Sequence, residues 1–307
     1  LEFVRSVSSE RTKKAYFGNS IAGVDDECCH RRVSVLRLFQ RSKSPVARFL
    51  DGRVGYAIGD IHGRSDLLSD MIALLEARSI DDTRLAGPPI VVFLGDYVDR
   101  GHDSAGVVGM LAAGRPRHCE CRYLRGNHEQ MLMAFLDNPA ANRGWVLQGG
   151  AETLMSYGVR PPPFNGSAQA WEQTADELRV RMPAAHLEFL DGLERYVELG
   201  DYAFVHAGVD DTRALEDQTD EALYWSREAF VASKRPFSHR IVHGHTPVDQ
   251  PFADGRRIAV DTGAYASGAL TAARFERDAV TFITARRANA TVSTPSRPVL
   301  AADVDWG

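Results

Sequence analysis

An α/β layered fold is predicted by three observations. Three successive segments each read as a buried strand, a glycine-bounded polar turn and an amphipathic helix. All of those turns fall at the C-terminal end of a strand, where layered α/β folds gather their chemistry. Strand-length apolar runs then return after residue 195 and again end in polar turns. The chain has 307 residues, 44% hydrophobic and 25% charged, an ordinary globular composition with ample core. Its formal net charge of -5 makes no case for nucleic acid.

Residues 1–50 hold ten Lys/Arg against five Asp/Glu and show no sustained period. They are expected to form a basic, partly disordered arm, with a short apolar cluster from Val33 to Phe39 as a docking strand or helix. No apolar run has the length of a membrane span and none near the start resembles a leader, so a cytoplasmic protein with no membrane partner is expected. Cys28 and Cys29 are adjacent, Cys119 and Cys121 alternate, and neither pair has zinc spacing. Four free thiols are expected.

Val54 to Ile58 reads as the first strand. It runs into Gly59-Asp60-Ile61-His62-Gly63, and Ser65 opens a helix through Leu67, Leu68, Met71, Leu74 and Leu75. The second strand, Ile90 to Leu94, runs into Gly95-Asp96-Tyr97-Val98-Asp99-Arg100-Gly101, whose glycines permit a tight bend. Ser104 then caps a helix through Val107 and Leu111. Cys119 to Leu124 forms the third strand, followed by Arg125-Gly126-Asn127-His128-Glu129 and a helix with Met131, Leu132 and Phe135.

From 143 to 183 the periodicity weakens, punctuated by Gly149-Gly150, Pro161-Pro162-Pro163 and Asn165-Gly166, with helical pieces around Trp145 and Trp171. This stretch reads as an excursion covering one side of the site rather than a second domain. Strands resume at Arg195 to Leu199 and at Tyr202 to Val205, the latter ending in His206-Ala207-Gly208. A helix is expected from Glu221 to Phe230. Arg240 to Val242 enters His243-Gly244-His245-Thr246-Pro247, and Arg257 to Val260 enters Asp261-Thr262-Gly263. Strands near Leu270 to Arg274 and Val280 to Ile283 close a domain spanning 51–285, leaving 286–307 as a mobile tail.

Asp60, His62, Asp96, Asn127, His206 and His245 each lie just past a strand end. Singly, each has an ordinary reading: Asp60 as a helix cap, His206 as a satisfied core histidine, Asn127 as a turn former. Together they form a set of carboxylate, imidazole and amide oxygen donors suited to first-row divalent ions. Six are too many for one open catalytic metal and suit two ions about 3.5–4 Å apart, with Asp96 as the natural bridge.

The five turns Gly59 to Gly63, Gly95 to Gly101, Leu124 to Glu129, His206 to Gly208 and Gly244 to Thr246 resemble, in order, the motifs of the phosphoprotein phosphatase family within the calcineurin-like metallophosphoesterases. The resemblance runs from Val54 to Ile283 and is nearest to the family's bacterial branch, which Asp261-Thr262-Gly263-Ala264-Tyr265 also resembles. It implies a layered β-sandwich of mixed sheets flanked by helices. It implies that Asp60, His62 and Asp96 hold one ion and that Asp96, Asn127, His206 and His245 hold the other. Manganese is the first choice, with iron, zinc or cobalt also accepted by these ligand types. Asp99 is implied to pair with His128 as the leaving-group acid. Arg100 and Arg227 are implied to clamp phosphate, with Asn127 and Tyr265 lining the pocket. His243, two before His245, is a candidate support for the ligands.

The function implied is metal-dependent hydrolysis of phosphomonoesters, with a hydroxide bridging the two ions as nucleophile and phosphoserine or phosphothreonine proteins as first-choice substrates. Phosphotyrosine and small phosphoesters are also expected to be accepted. The nearest rival is a diadenosine polyphosphate hydrolase. Those enzymes usually depart from Val-Asp-Arg-Gly and carry Asp where Glu129 stands. A metal-free binding module is the reading from another class, and the presence of every ligand and of His128 speaks against it.

Overall fold

Alternation along the strands decides what each residue of this molecule faces. The structure, a computed structural model, describes residues 46–82 and 87–286. The basic arm through residue 45, with its 33–39 cluster and Cys28-Cys29, and the tail after Arg286 lie outside the described residues. The first half runs β1 (Val54–Ile58), α1 (Ser65–Asp82), β2 (Ile90–Phe93), α2 (Ser104–Ala112), β3 (Glu120–Tyr123) and α3 (Asn127–Asp137). A helical stretch follows: a 3-10 turn (Arg143–Gln148), α4 (Gly150–Ser156), α5 (Ala168–Arg181) and α6 (Ala184–Asp191). The second half runs β4 (Val197–Leu199), β5 (Tyr202–Phe204), α7 (Asp220–Trp225), α8 (Glu228–Ala232), β6 (Arg240–His243), β7 (Phe252–Ala253), β8 (Arg257–Ala259), α9 (Ala264–Ser267), β9 (Ala269–Glu276) and β10 (Ala279–Arg286).

These strands make two mixed five-stranded sheets, ordered β10-β9-β1-β2-β3 and β4-β5-β6-β8-β7. In the first, β1, β2 and β3 are parallel and β9 and β10 antiparallel; in the second, β5, β6 and β8 are parallel, with β4 and β7 antiparallel edges. The fold is therefore the layered sandwich of mixed sheets flanked by helices that the sequence implied.

Ile90, Val92 and Leu94 face the second sheet and pack with Ala57, Phe204, Val242 and Ile258, while Val91 and Phe93 face the helices with Tyr56 and Ile58. Side chains of period 2 thus supply both layers. Each large apolar side chain so buried contributes roughly 1.5–3 kcal/mol. Trp145, Leu154, Trp171 and Leu178 of the helical excursion share the core that holds Val91 and Phe93. At Gly55 a Cβ would lie 2.3 Å from the Phe49 ring, so glycine is what lets that ring close the sandwich over β1.

Three elements differ from expectation. The helix expected from Glu221 to Phe230 is two short helices, because Ser226 leaves helical geometry and Arg227 has φ −133° and ψ −108°. Helical structure continues past residue 183 through α6, an eight-residue helix with Leu190 as its one buried residue, too little to leave an amphipathic stripe in the sequence. The two-residue edge strand β7 is too short to leave a periodic signal. Cys119 and Cys121 are free, half-buried thiols. No helix among the described residues is long and apolar enough to cross a membrane.

Candidate active site

The first two polar turns are zipped together by backbone. Ile61 and His62 N–H groups donate to the Asp96 carbonyl at 3.1 and 2.8 Å, and Gly63 N–H donates to the Tyr97 carbonyl at 2.9 Å. A Cβ on Gly101 would stand 1.9 Å from the His62 carbonyl oxygen, so glycine is required there for the close approach. The third turn ties in through Glu129, a fully buried carboxylate that accepts the N–H groups of Asp96 (2.8 Å), Tyr97 (2.7 Å), Val98 (3.2 Å) and Gly126 (2.9 Å). Burial and Asp96 raise its proton affinity to about 7, yet four donors face its oxygens and leave no acceptor for a proton, so the anion is the form that fits.

His62, Asp96, Asp99, Arg100 and His245 all have positive φ, at 47°, 53°, 75°, 64° and 61°. Such strain in non-glycine residues persists only where surrounding bonds over-determine it, and it clusters at functional sites.

The side chains converge on Asp96. His62 Nε2 lies 3.4 Å from Asp96 Oδ2, and His206 Nε2 lies 3.4 Å from Asp96 Oδ1. His206 Nε2 is also 3.0 Å from Asn127 Oδ1 and 3.2 Å from His245 Nδ1. The tautomers are fixed from behind: His62 Nδ1–H donates to the Val98 carbonyl at 2.9 Å and His206 Nδ1–H to the Leu94 carbonyl at 2.8 Å. Both Nε2 atoms therefore turn lone pairs inward, toward oxygen atoms that are also acceptors. Two groups of possible metal ligands result, His62 with Asp96 and His128, and Asp96 with His206 and His245, with ligand atoms within 4.8 Å of one another in each. Converging imidazole nitrogens, a carboxylate and an amide oxygen of this kind fit divalent cations.

Electrostatics agrees with that fit. Burial pushes His62 and His245 down to about 3 and also lowers His206, so all three are neutral donors. At Asp96 burial opposes ionisation, but His206, His128, His62 and His245 outweigh it and hold the carboxyl well below its usual range. Asp60 stands apart from the two tight groups. Its carboxylate accepts the His245 N–H at 3.1 Å, and burial, Asp261 and Asp96 raise its proton affinity. Asp261 is also buried, and that burial is the chief cause of its shift up to about 6. Gly244 admits Asp60, since a Cβ there would stand 2.1 Å from Asp60 Oδ1.

Beside the cluster, His128 Nδ1–H donates to Asp99 Oδ2 at 2.6 Å. Burial lowers the proton affinity of His128, but Asp96 and Asp99 prevail and the net shift is upward. Arg100 Nη2 lies 3.0 Å from His128 Nε2, which accepts from it in this arrangement. The Arg100 guanidinium sits 5.0 Å over the Tyr265 ring, and that ring meets His62 edge-on at 5.3 Å. Arg227 is exposed at the rim; its guanidinium has no hydrogen-bond partner among the described residues, though its charge reaches His206 and His245. His243 does not join the ligands. As the last residue of β6 it points to the outer face, where it meets Phe230 and accepts from Arg257 at 3.2 Å.

Four residues around the site were not singled out from the sequence for these contacts. Glu129 clamps the second turn. Trp145 and Thr153 donate to Asp99, and Asp261 accompanies Asp60. Glu129 and Asp261 stand inside polar turns and were within reach; Trp145 and Thr153 carry no local signal.

A family model described as calcineurin-like phosphoesterase matches residues 56–282. The asymmetrical bis(5'-nucleosyl)-tetraphosphatase PrpE of Geobacillus thermodenitrificans is 26% identical over 238 residues, covering 71% of this chain and 89% of its own. Serine/threonine-protein phosphatase 1 of Salmonella typhimurium is 28% identical over 227 residues, covering 72% and 91%. A cold-active protein-tyrosine phosphatase of a psychrophilic Shewanella is similar in fold, with a TM-score of 0.52, 18% identity and coverage of 79% and 80%.

Proposed function

The chain belongs to the calcineurin-like phosphoesterase family, and from that premise we propose that it hydrolyses phosphomonoesters, foremost phosphoserine and phosphothreonine in proteins. The carrying observation is His128, with Nδ1 2.6 Å from Asp99 Oδ2 and Nε2 4.0 Å from Asp96 Oδ2. A seryl or threonyl alkoxide is a poor leaving group and needs a proton from an acid placed beside the reacting centre. The leaving group of a dinucleotide polyphosphate is itself a stabilised phosphate anion and has no such need. An imidazole backed by a buried carboxylate therefore favours the alkyl ester.

Asp60, His62 and Asp96 would hold one divalent ion, and Asp96, Asn127, His206 and His245 a second, manganese being the first choice. When bound, such ions would lower the pKa of a water they hold and neutralise phosphoryl oxygens. Arg100 and Arg227 receive the phosphate, Arg100 leaving His128 to do so and freeing Nε2 to carry a proton. Asn127 and Tyr265 line the same space. As the oxygen of a water that has released one proton to solvent bonds to phosphorus and the bond from phosphorus to the seryl oxygen breaks, His128 Nε2 passes its proton to that oxygen, while Asp99 holds the Nδ1–H.

The second reading, hydrolysis of diadenosine polyphosphates, is favoured by the similarity to the tetraphosphatase of Geobacillus thermodenitrificans. One experiment separates them. The purified protein with manganese is assayed on a phosphopeptide panel, p-nitrophenyl phosphate and diadenosine tetraphosphate in one buffer. A higher kcat/KM on phosphoserine or phosphothreonine peptides supports the first reading, and a higher value on the dinucleotide replaces it with the second. No turnover by protein shown to hold metal would revive a binding module.

A further inference from the structure

Trp145 and Thr153 lie in the helical excursion, outside every motif of the site, yet both end on one carboxylate. Trp145 Nε1–H donates to Asp99 Oδ2 at 2.8 Å, the same oxygen that faces His128, and Thr153 Oγ1 donates to Asp99 Oδ1 at 2.7 Å. Thr153 Oγ1 also accepts the Asp99 N–H at 2.9 Å, and the Ser104 hydroxyl lies 2.9 Å away to supply the remaining hydrogen. One residue further, Arg100 N–H donates to the Gly149 carbonyl at 3.1 Å. Four bonds from one segment thus hold two consecutive residues at positive φ.

The adjacent glycines of the excursion explain how it docks. Gly149, at φ 110°, lies against the Arg100 backbone, where a Cβ would be 2.7 Å from Arg100 N. Gly150 lies under the Trp145 indole, where a Cβ would be 2.4 Å from Cε2. Trp145 and Thr153 are themselves buried at 2% and 0% exposure, so no water replaces their bonds.

We infer that Trp145 and Thr153 are positioning residues for proton delivery: they fix the Asp99 carboxylate against His128 Nδ1, and the excursion serves the leaving group rather than the ions. Asp99 offers each oxygen one donor from the excursion, so its orientation is set before substrate arrives, and His128 Nε2 is aimed by it. This inference rests on the phosphomonoesterase reading above. Removing either donor lets the carboxylate rotate and the imidazole with it, which slows the step only when the departing oxygen needs a proton.

The test uses Trp145→Phe, Thr153→Val and Thr153→Ser in the full chain, compared with His128→Asn. Turnover of a phosphoserine peptide and of p-nitrophenyl phosphate, whose leaving group departs without help, is measured with manganese. Phe and Val variants are expected to lose about ten- to a hundredfold more on the peptide than on the aryl ester, and Thr153→Ser to keep the parent ratio. In metal-free protein, the 15N shifts of the His128 ring are expected to move in Trp145→Phe and Thr153→Val and to stay in place in Thr153→Ser, with manganese affinity unchanged throughout. Equal losses on both substrates, or an unmoved His128 ring, would overturn the inference. If His128→Asn itself shows no difference between the substrates, it is the acid assignment that fails.

Discussion

Replacing Glu129 by Gln exchanges one carboxylate oxygen for an amino group at the point where three turns meet. Oε1 accepts from Tyr97 and Val98, and Oε2 from Asp96 and Gly126. Whichever oxygen becomes NH2, two backbone N–H groups lose their acceptor and face another donor, in a site with 0% exposure. Each buried donor left unpaired costs about 1–3 kcal/mol, which sets a range of about 2–6 kcal/mol. Losing a like charge beside Asp96 offsets part of this and favours the lower half of the range. At about 2–4 °C per kcal/mol for a domain of this size, the midpoint should fall on the order of 5–15 °C. Asp96 also loses part of what holds it at positive φ, so manganese should bind less tightly. Circular dichroism melts of metal-free protein and calorimetric titration with manganese measure both. A midpoint within about 2 °C of the parent, a shift worth less than about 1 kcal/mol, with unchanged metal affinity, would mean that the carboxylate does not organise the turn.

Other substitutions separate roles that the geometry keeps distinct. His128→Asn should retain metal and lose on the order of 10²–10⁴ in rate on a phosphoserine peptide; full activity there would remove His128 as the acid. Asp96→Asn should weaken metal binding, whereas Asp99→Asn should chiefly slow turnover, and equal metal loss by titration would dissolve the distinction. Gly244→Ala drives a methyl group toward Asp60 Oδ1; manganese affinity should fall while the melting midpoint of the metal-free protein shifts little, and intact affinity would show that Asp60 does not need its present place. Arg227→Ala removes an exposed guanidinium with no hydrogen-bond partner among the described residues, so stability should stay within about 0.5 kcal/mol while KM for the phosphopeptide rises; an unchanged KM would assign the phosphate to Arg100 alone.

What the sequence determined by itself was the strand-end logic. Glycine-bounded polar turns at the ends of short β-branched runs are local features, and period-2 alternation says which residues reach which layer. That is why the places of Asp60, His62, Asp96, Asn127, His206 and His245 at strand ends were legible, and why the strands carrying them fell within a residue or two of their places. Alternation also held the answer for His243, whose position in β6 turns it to the outer face beside Phe230. Only the tertiary structure decided what braces these groups. Trp145 and Thr153 lie 46 and 54 residues from Asp99, in a stretch whose glycines read only as breaks until Gly149 and Gly150 were found against Arg100 and Trp145. Contacts of that separation follow from how the helices close over the sheet, and no local pattern of residues encodes them.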